Sequence, residues 1–215
     1  MKRVITIVLA AGAGKRLGGP KALLAWPAAT KDGPERPLAI AHAEARLSAE
    51  SARVLVVVRS SVMNALLAHV RPGIDLVAWS APDDLGPAGS LAVAAPRIGD
   101  AEAVVVTPVD VPPASAATVA RLLARLDAGA ASEASAAPPL AVRPRHLGRG
   151  GHPVVLRAEA LARYLEPDPP PLRDHLRSLG ERCVDEDVDD PGVLLDLNVP
   201  VDVIRVLGGP PHFLA

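Results

Sequence analysis

Four apolar runs rich in β-branched residues mark the first half of the chain, at residues 4–9, 54–58, 75–79 and 103–106. They are continuous rather than alternating, the pattern of strands buried on both faces of a parallel sheet. Between them, residues 38–49, 61–70 and 90–95 read as helices, the last two opened by Ser61 and Ser90 as caps. The order is βαβαβαβ, so helices should cover both faces of the sheet.

Beyond Pro112 the regularity declines. A helix is expected over 115–126 and an Ala/Ser/Pro loop without chemistry over 129–139. Short strands at 140–142 and 152–156 and helices at 158–164 and 172–179 should follow. The acidic run 185–190 reads as a solvated loop. No internal repeat is visible. In open α/β sheets ligands sit at the carboxyl ends of the strands, which here are residues 12–19, Arg59 with Ser60, Ser80, and 107–110.

Composition narrows the classes of function. A chain of 215 residues that is 49% hydrophobic can bury a full core, and one domain over 1–215 is expected. With 23 basic and 24 acidic residues the net charge is -1, so nothing global attracts nucleic acid or an anionic membrane. Aromatic residues are only 2%, which leaves almost no platform for stacking bases. One cysteine, Cys183, suits a reducing compartment and reads as a small buried hydrophobe. The start resembles a signal peptide, but its apolar run is β-branched and meets Gly12, Gly14, Lys15 and Arg16 at once. No run approaches the roughly 20 apolar residues of a membrane span, and a cytoplasmic location is expected.

Candidate chemistry concentrates in two places. Segment 9–24, LAAGAGKRLGGPKALL, is a glycine-rich turn leaving the first strand. Small residues let backbone amides approach phosphates, and Lys15, Arg16 and Lys21 offset their charge. The chain has only four lysines (Lys2, Lys15, Lys21 and Lys31), and two of them lie in this loop, which favours phosphate binding over general solubility. Leu9 stands where a Walker loop needs its first glycine, and Arg16 where it needs a hydroxyl. A dinucleotide fingerprint also fits poorly: Gly12, Gly14 and Gly19 are spaced two and five apart, or two and four with Gly18 instead, and Asp32 lies in a polar loop rather than closing a second strand.

The second place is 104–113, VVVTPVDVPP, a buried strand ending in Asp110. A carboxylate there is placed to bind a hard cation that bridges phosphates. The competing reading, a cap for the helix near Ser115, suffers from the two prolines in between.

Segment 9–21 resembles the signature loop of the MobA-like NTP transferases, the molybdenum cofactor cytidylyl- and guanylyltransferases, built on the nucleotide-diphospho-sugar transferase fold. The resemblance runs in motif order over residues 4–206. It implies a three-layer αβα Rossmann-like domain with a mainly parallel sheet. Residues 1–112 would form the nucleotide half, and 113–206 the acceptor half with the return to the metal. By position, Ala10, Ala11 and Gly12 would face the base, Gly14 and Arg16 the triphosphate, and Lys21 the α-phosphate, with Leu9 and Lys15 also nucleotide-binding. Ala-Ala-Gly resembles the cytidylyltransferase form of the loop, whereas guanylyltransferases usually show Ala-Gly-Gly, so CTP is favoured over GTP.

Segment 194–203, LLDLNVPVDV, resembles the stretch that supplies a second magnesium ligand, which would be Asn198 beside Asp110. Val199 and Val201 depart from the usual threonine and glutamate there and should affect the cap of the last helix more than the metal. Segment 85–91, LGPAGSL, resembles one whose serine, here Ser90, approaches the base, although a helix cap explains Ser90 equally well. Segments 148–154 and 171–174 resemble the acceptor side, with Arg145, Arg149, His152 and Arg173 as candidates, His152 being as readily structural. Residues 28–36 lengthen the family's connection, either as a flap over the site or as a harmless insertion.

The resemblance implies transfer of a nucleoside monophosphate from a nucleoside triphosphate to a phosphorylated small acceptor, molybdopterin, with Mg2+ and release of pyrophosphate. Arg16, Lys21 and Asp110 are its expected catalytic residues, and a molybdoenzyme would receive the product. The alternatives are a sugar- or polyol-phosphate acceptor on the same scaffold, or a non-catalytic nucleotide-binding chaperone.

Overall fold

The computed structural model of the chain describes residues 3–28, 30, 33–47, 51–80, 86–128 and 137–214. The expected loop over 129–136, Leu85, the end of the first expected helix at 48–49, and residues 29, 31 and 32 of the 28–36 connection lie outside the described residues.

In chain order the elements are β1 (Val4–Ala10), β2 (Ala25–Trp26), β3 (Arg36–Pro37), α1 (Leu38–Leu47), β4 (Arg53–Arg59), α2 (Ser60–Leu67), β5 (Ile74–Trp79) and α3 (Gly86–Ala94). There follow β6 (Ala103–Pro108), α4 (Ala116–Ala128), β7 (Ala141–His146), β8 (Arg149–Gly150), β9 (Val154–Arg157), α5 (Leu172–Ser178), β10 (Cys183–Asp187) and α6 (Pro200–Leu207). The main sheet runs β10-β7-β9-β6-β1-β4-β5, with β8 hydrogen-bonded to β7. The four strands expected from the apolar runs pair in parallel: β1 with β4 and with β6, and β4 with β5. β9 enters antiparallel between β6 and β7, and β10 closes the edge parallel to β7.

Alternate residues of the buried strands point to opposite layers. Ile5, Ile7 and Leu9 of β1, with Val104 and Val106 of β6, meet α3, α5 and the 3-10 helix Ala158–Leu165. Val8 and Ala10 of β1, with Val54, Val56 and Val58 of β4, meet α1, α2 and α6. Val105 of β6 and Val155 of β9 meet α4. The result is the expected αβα layering with a mainly parallel sheet. Among the described residues no helix is long and apolar enough to cross a membrane.

Three local expectations are corrected. The helix expected from Ser90 begins at Gly86, so Ser90 is buried in its middle and is no cap; Pro87 sits in the first turn, where its missing N–H costs nothing. The segment 158–164 is a 3-10 helix rather than an α-helix. The acidic run is not a loop at its start, because Asp185 and Asp187 lie on β10 opposite Arg143 and Arg145 of β7. Arg143 forks onto Asp185 at 2.8 and 3.1 Å, Arg145 onto Asp187 at 2.7 and 2.9 Å, and Arg121 of α4 reaches Glu186 at 2.6 Å. Each acid meets a guanidinium, so the like charges stack along an edge strand without mutual repulsion deciding the fold.

Candidate active site

The order of β1, β4 and β6 reverses the chain's progress across the sheet at β1, and the glycine loop leaves β1 at that switch. Gly14 has a φ of +63°, and Leu17 and Gly18 both donate to its carbonyl, at 2.9 and 3.1 Å, folding the loop into a tight turn. A side chain at Gly14 would run into the carbonyl of Gly19. Leu17 plugs the core beneath while Lys15 and Arg16 stay exposed. A 3-10 turn, Lys21–Leu23, then turns the Lys21 side chain back under the loop.

Lys21 Nζ donates to Asn198 Oδ1 at 2.7 Å and to Asp110 Oδ2 at 3.2 Å. Residues 89 and 177 positions away therefore converge on one cationic point. The Asp110 carbonyl accepts the N–H of Leu197 at 2.6 Å, which sets the register between the end of β6 and the return that carries Asn198. Asp110 does not cap the next helix; Ser115 does, its Oγ accepting the Thr118 N–H at 3.1 Å.

The loop after β6 is held from behind by α1. His42 Nε2 donates to the Val111 carbonyl at 2.9 Å, since a carbonyl only accepts, and Arg46 donates to the Ala114 carbonyl at 2.6 Å. Burial is the main reason that His42 is pushed down to about 4, so it stays neutral. On the return, the Asp202 carboxylate accepts the N–H groups of Val199 and Asn198, at 2.9 and 3.0 Å, and these bonds lower its pKa.

A cavity of about 410 Å³ lies over the glycine loop, and one of about 970 Å³ lies over the β7–β9 side. Both are bounded by Leu9, Pro108 and Asp110, so they form one cleft whose two lobes meet at Asp110. Leu9, Ala11, Gly12, Gly14, Lys15 and Arg16 line the first lobe, and so do Lys21, Ser90, Asp110 and Asn198. Ala10 does not: its side chain packs into the core under α1, which leaves only its backbone for a ligand.

Of the acceptor candidates, His152 and Arg173 line the second lobe. Arg145 is turned to Asp187 and Arg149 is exposed on β8; neither lines the cleft. Burial is the main cause that lowers the pKa of His152, and its Nδ1 is buried without a partner. The sequence placed Arg59 at a ligand-facing strand end without giving it a role, and gave none to Trp79, which with Arg59 closes β4 and β5 in the first lobe, or to Arg143, Arg177 and Asp196 in the second. Arg59 and Trp79 carried a signal, being at or next to strand ends. Arg143 carried none, since Arg145 shares its face of the strand and differs only in distance from the cleft.

Asp110 and Asn198 are hard oxygen donors, one anionic and one neutral, aimed at a common positive charge, a donor set that fits a small divalent cation completed by phosphate oxygens. Among the described residues no cluster of three or more His, Cys, Asp or Glu side chains is placed to hold a metal. A metal at this pair would complete its shell with water and, when a nucleotide is bound, with phosphate oxygens.

Among curated proteins, a molybdenum cofactor guanylyltransferase of Xanthomonas euvesicatoria pv. vesicatoria (strain 85-10) is 37% identical over 118 residues, which are 55% of this chain and 52% of that protein. The match thus spans about half the length of that relative. Among solved structures, Rv0371c of Mycobacterium tuberculosis H37Rv superposes with a TM-score of 0.75 at 23% identity over 97% of this chain and 98% of its own. The same protein in complex with manganese gives 0.70 at 21% identity over 97% and 99%. At these identities the superpositions establish a shared fold. The family model of the MobA-like NTP transferase domain matches residues 6–188, from within β1 to just past β10, and the chain belongs to that family.

Proposed function

We propose that the protein transfers a nucleoside monophosphate from a nucleoside triphosphate to a phosphorylated small acceptor, molybdopterin, in the cytoplasm, and passes the product to a molybdoenzyme. The observation that carries this reading is the meeting of two lobes at Asp110, with Lys21 bridging Asp110 and Asn198 beneath the glycine loop. A nucleotide in the first lobe would present its α-phosphate where the second lobe opens. A binding chaperone has no need of this juxtaposition.

An oxygen of the acceptor phosphate attacks the α-phosphorus, forming the new P–O bond as the bond to the β-phosphate oxygen breaks and pyrophosphate leaves with its charge. A phosphate monoester has a second pKa of about 6, so the nucleophile is already ionised at neutral pH and needs no general base. Catalysis is then positioning and charge neutralisation. The loop amides from Gly12 to Arg16 cradle the β- and γ-phosphates, and Lys21 and Arg16 balance the charge on the transferring group. Asp110 and Asn198 would hold Mg2+, which would offset phosphate charge when bound. The manganese bound by Rv0371c supports a divalent ion on this fold.

Ala10 and Ala11 favour CTP as the donor, while the name of the 37%-identical relative favours GTP. The deciding experiment is pyrophosphate release with Mg2+, each of the four triphosphates, and molybdopterin or a panel of phosphorylated sugars and polyols, with Asp110→Ala as control. Release with CTP and molybdopterin that is lost in the control establishes the reading. Release with GTP alone reverses the donor, and triphosphate binding without turnover on any acceptor overturns catalysis.

A further inference from the structure

The segment that follows α6 returns to the back of the nucleotide loop. Gly208, with a φ of +78°, ends α6 and turns the chain, and residues 212–214 then run antiparallel to 23–25. Ala25 donates to the His212 carbonyl at 3.0 Å, Leu214 donates to the Leu23 carbonyl at 2.8 Å, and Leu24 bridges Phe213. His212 reaches Glu35 at 2.8 Å, which ties in the far end of the 28–36 connection. The ring of Phe213 lies against Gly19, so that a Cβ there would fall 2.8 to 3.0 Å from three of its carbons. Gly19 has no positive φ, and the three atoms nearest to a Cβ there all belong to this ring, so a side chain at Gly19 would have to displace Phe213.

We propose that Phe213 and the 211–214 strap are positioning elements for nucleotide transfer, holding Gly19 and the turn after it so that Lys21 meets the triphosphate. Lys21 stands between the two contacts of the strap, Gly19 before it and residues 23–25 after it. The strap also begins at the end of α6, whose N-terminus is fixed beside Asn198 by Asp202. One continuous stretch thus joins the Asn198 side of the site to the Lys21 side. Phe213 itself lines neither lobe and acts only through the loop. What Lys21 does rests on the function proposed above; that the strap orders the loop does not.

The test compares wild type, Phe213→Ala, Phe213→Leu, Gly19→Ala and the double variant Gly19→Ala/Phe213→Ala. Hydrogen exchange at the amides of residues 21–25 reads the loop, and magnesium-dependent binding of CTP and GTP reads the site. In Phe213→Ala, exchange should rise about tenfold and triphosphate binding weaken about tenfold, with kcat changing less than KM. Phe213→Leu, which keeps an apolar group against Gly19, should recover most of both. Gly19→Ala should be impaired alone, yet the double variant should be no worse than Phe213→Ala, because the obstructing ring is gone. Wild-type exchange and binding in Phe213→Ala, or additive losses in the double variant, overturn the proposal. A wild type that binds neither triphosphate overturns the functional reading instead, and the exchange comparison still decides the strap.

Discussion

The backbone N–H of Leu197 donates to the carbonyl of Asp110 at 2.6 Å, and Leu197 is fully buried beneath that bond. One hydrogen bond therefore locks together two segments distant in the chain, so that the carboxylate of Asp110 and the amide of Asn198 face the same ammonium of Lys21. The tether runs through the backbone of Asp110, while its side chain meets the ammonium of Lys21.

Asp110→Asn should consequently separate activity from stability. Pyrophosphate release should fall by roughly 100- to 1000-fold, as when one charge-stabilising group is removed from a transfer site. Unfolding free energy should change by less than about 1 kcal/mol, because the ion pair with Lys21 is part-exposed on the Asp110 side. Urea unfolding alongside the turnover assay reads both, and a large loss of stability would mean that Asp110 is structural.

His42 makes stability depend on pH. It is neutral in the folded protein, pushed down to about 4 chiefly by burial, with Arg46 lowering it further while Val111 and Asp110 pull the other way. In the unfolded chain it titrates near 6.5. Between those values the unfolded chain binds more protons, so the full stability present above 6.5 drains away as pH falls toward 4. At pH 5 the loss should be about 2 kcal/mol relative to pH 7.5, and it should be largely absent in His42→Gln. Parallel pH profiles of the two proteins in urea unfolding would refute the assignment.

Val199 leaves half of a capping pair unmade. The Asp202 carboxylate already accepts the Val199 N–H at 2.9 Å, but valine has no hydroxyl to accept in return. Val199→Thr should stabilise the protein by about 0.5–1 kcal/mol and raise the unfolding midpoint. A drop in the midpoint would show that the valine methyls matter more than the missing bond.

The arginines of the acceptor side should divide by place. Arg173→Ala should raise KM for a phosphorylated acceptor about tenfold, because Arg173 lines the second lobe. Arg145→Ala should leave that KM within about twofold, because its guanidinium is spent on Asp187 outside the cleft. Steady-state kinetics on both variants would expose the reverse order.

The parallel strands, the glycine loop after β1 and Asp110 at the end of β6 were legible in the amino-acid order because each is a local pattern. Continuous burial leaves continuous β-branched runs, and a turn that must admit phosphates leaves small residues and cations. Asn198 was reached through family resemblance, since nothing local distinguishes its side chain from any other asparagine before a helix. The strap of Phe213 on Gly19 joins positions 194 apart in numbering, and neither residue carries a periodic signal of it. Nor does the sequence separate Arg143 from Arg145 or make Asp185–Asp187 a strand. Those outcomes depend on which acid lies opposite which base across β7 and β10, a cross-strand register that only the folded sheet decides.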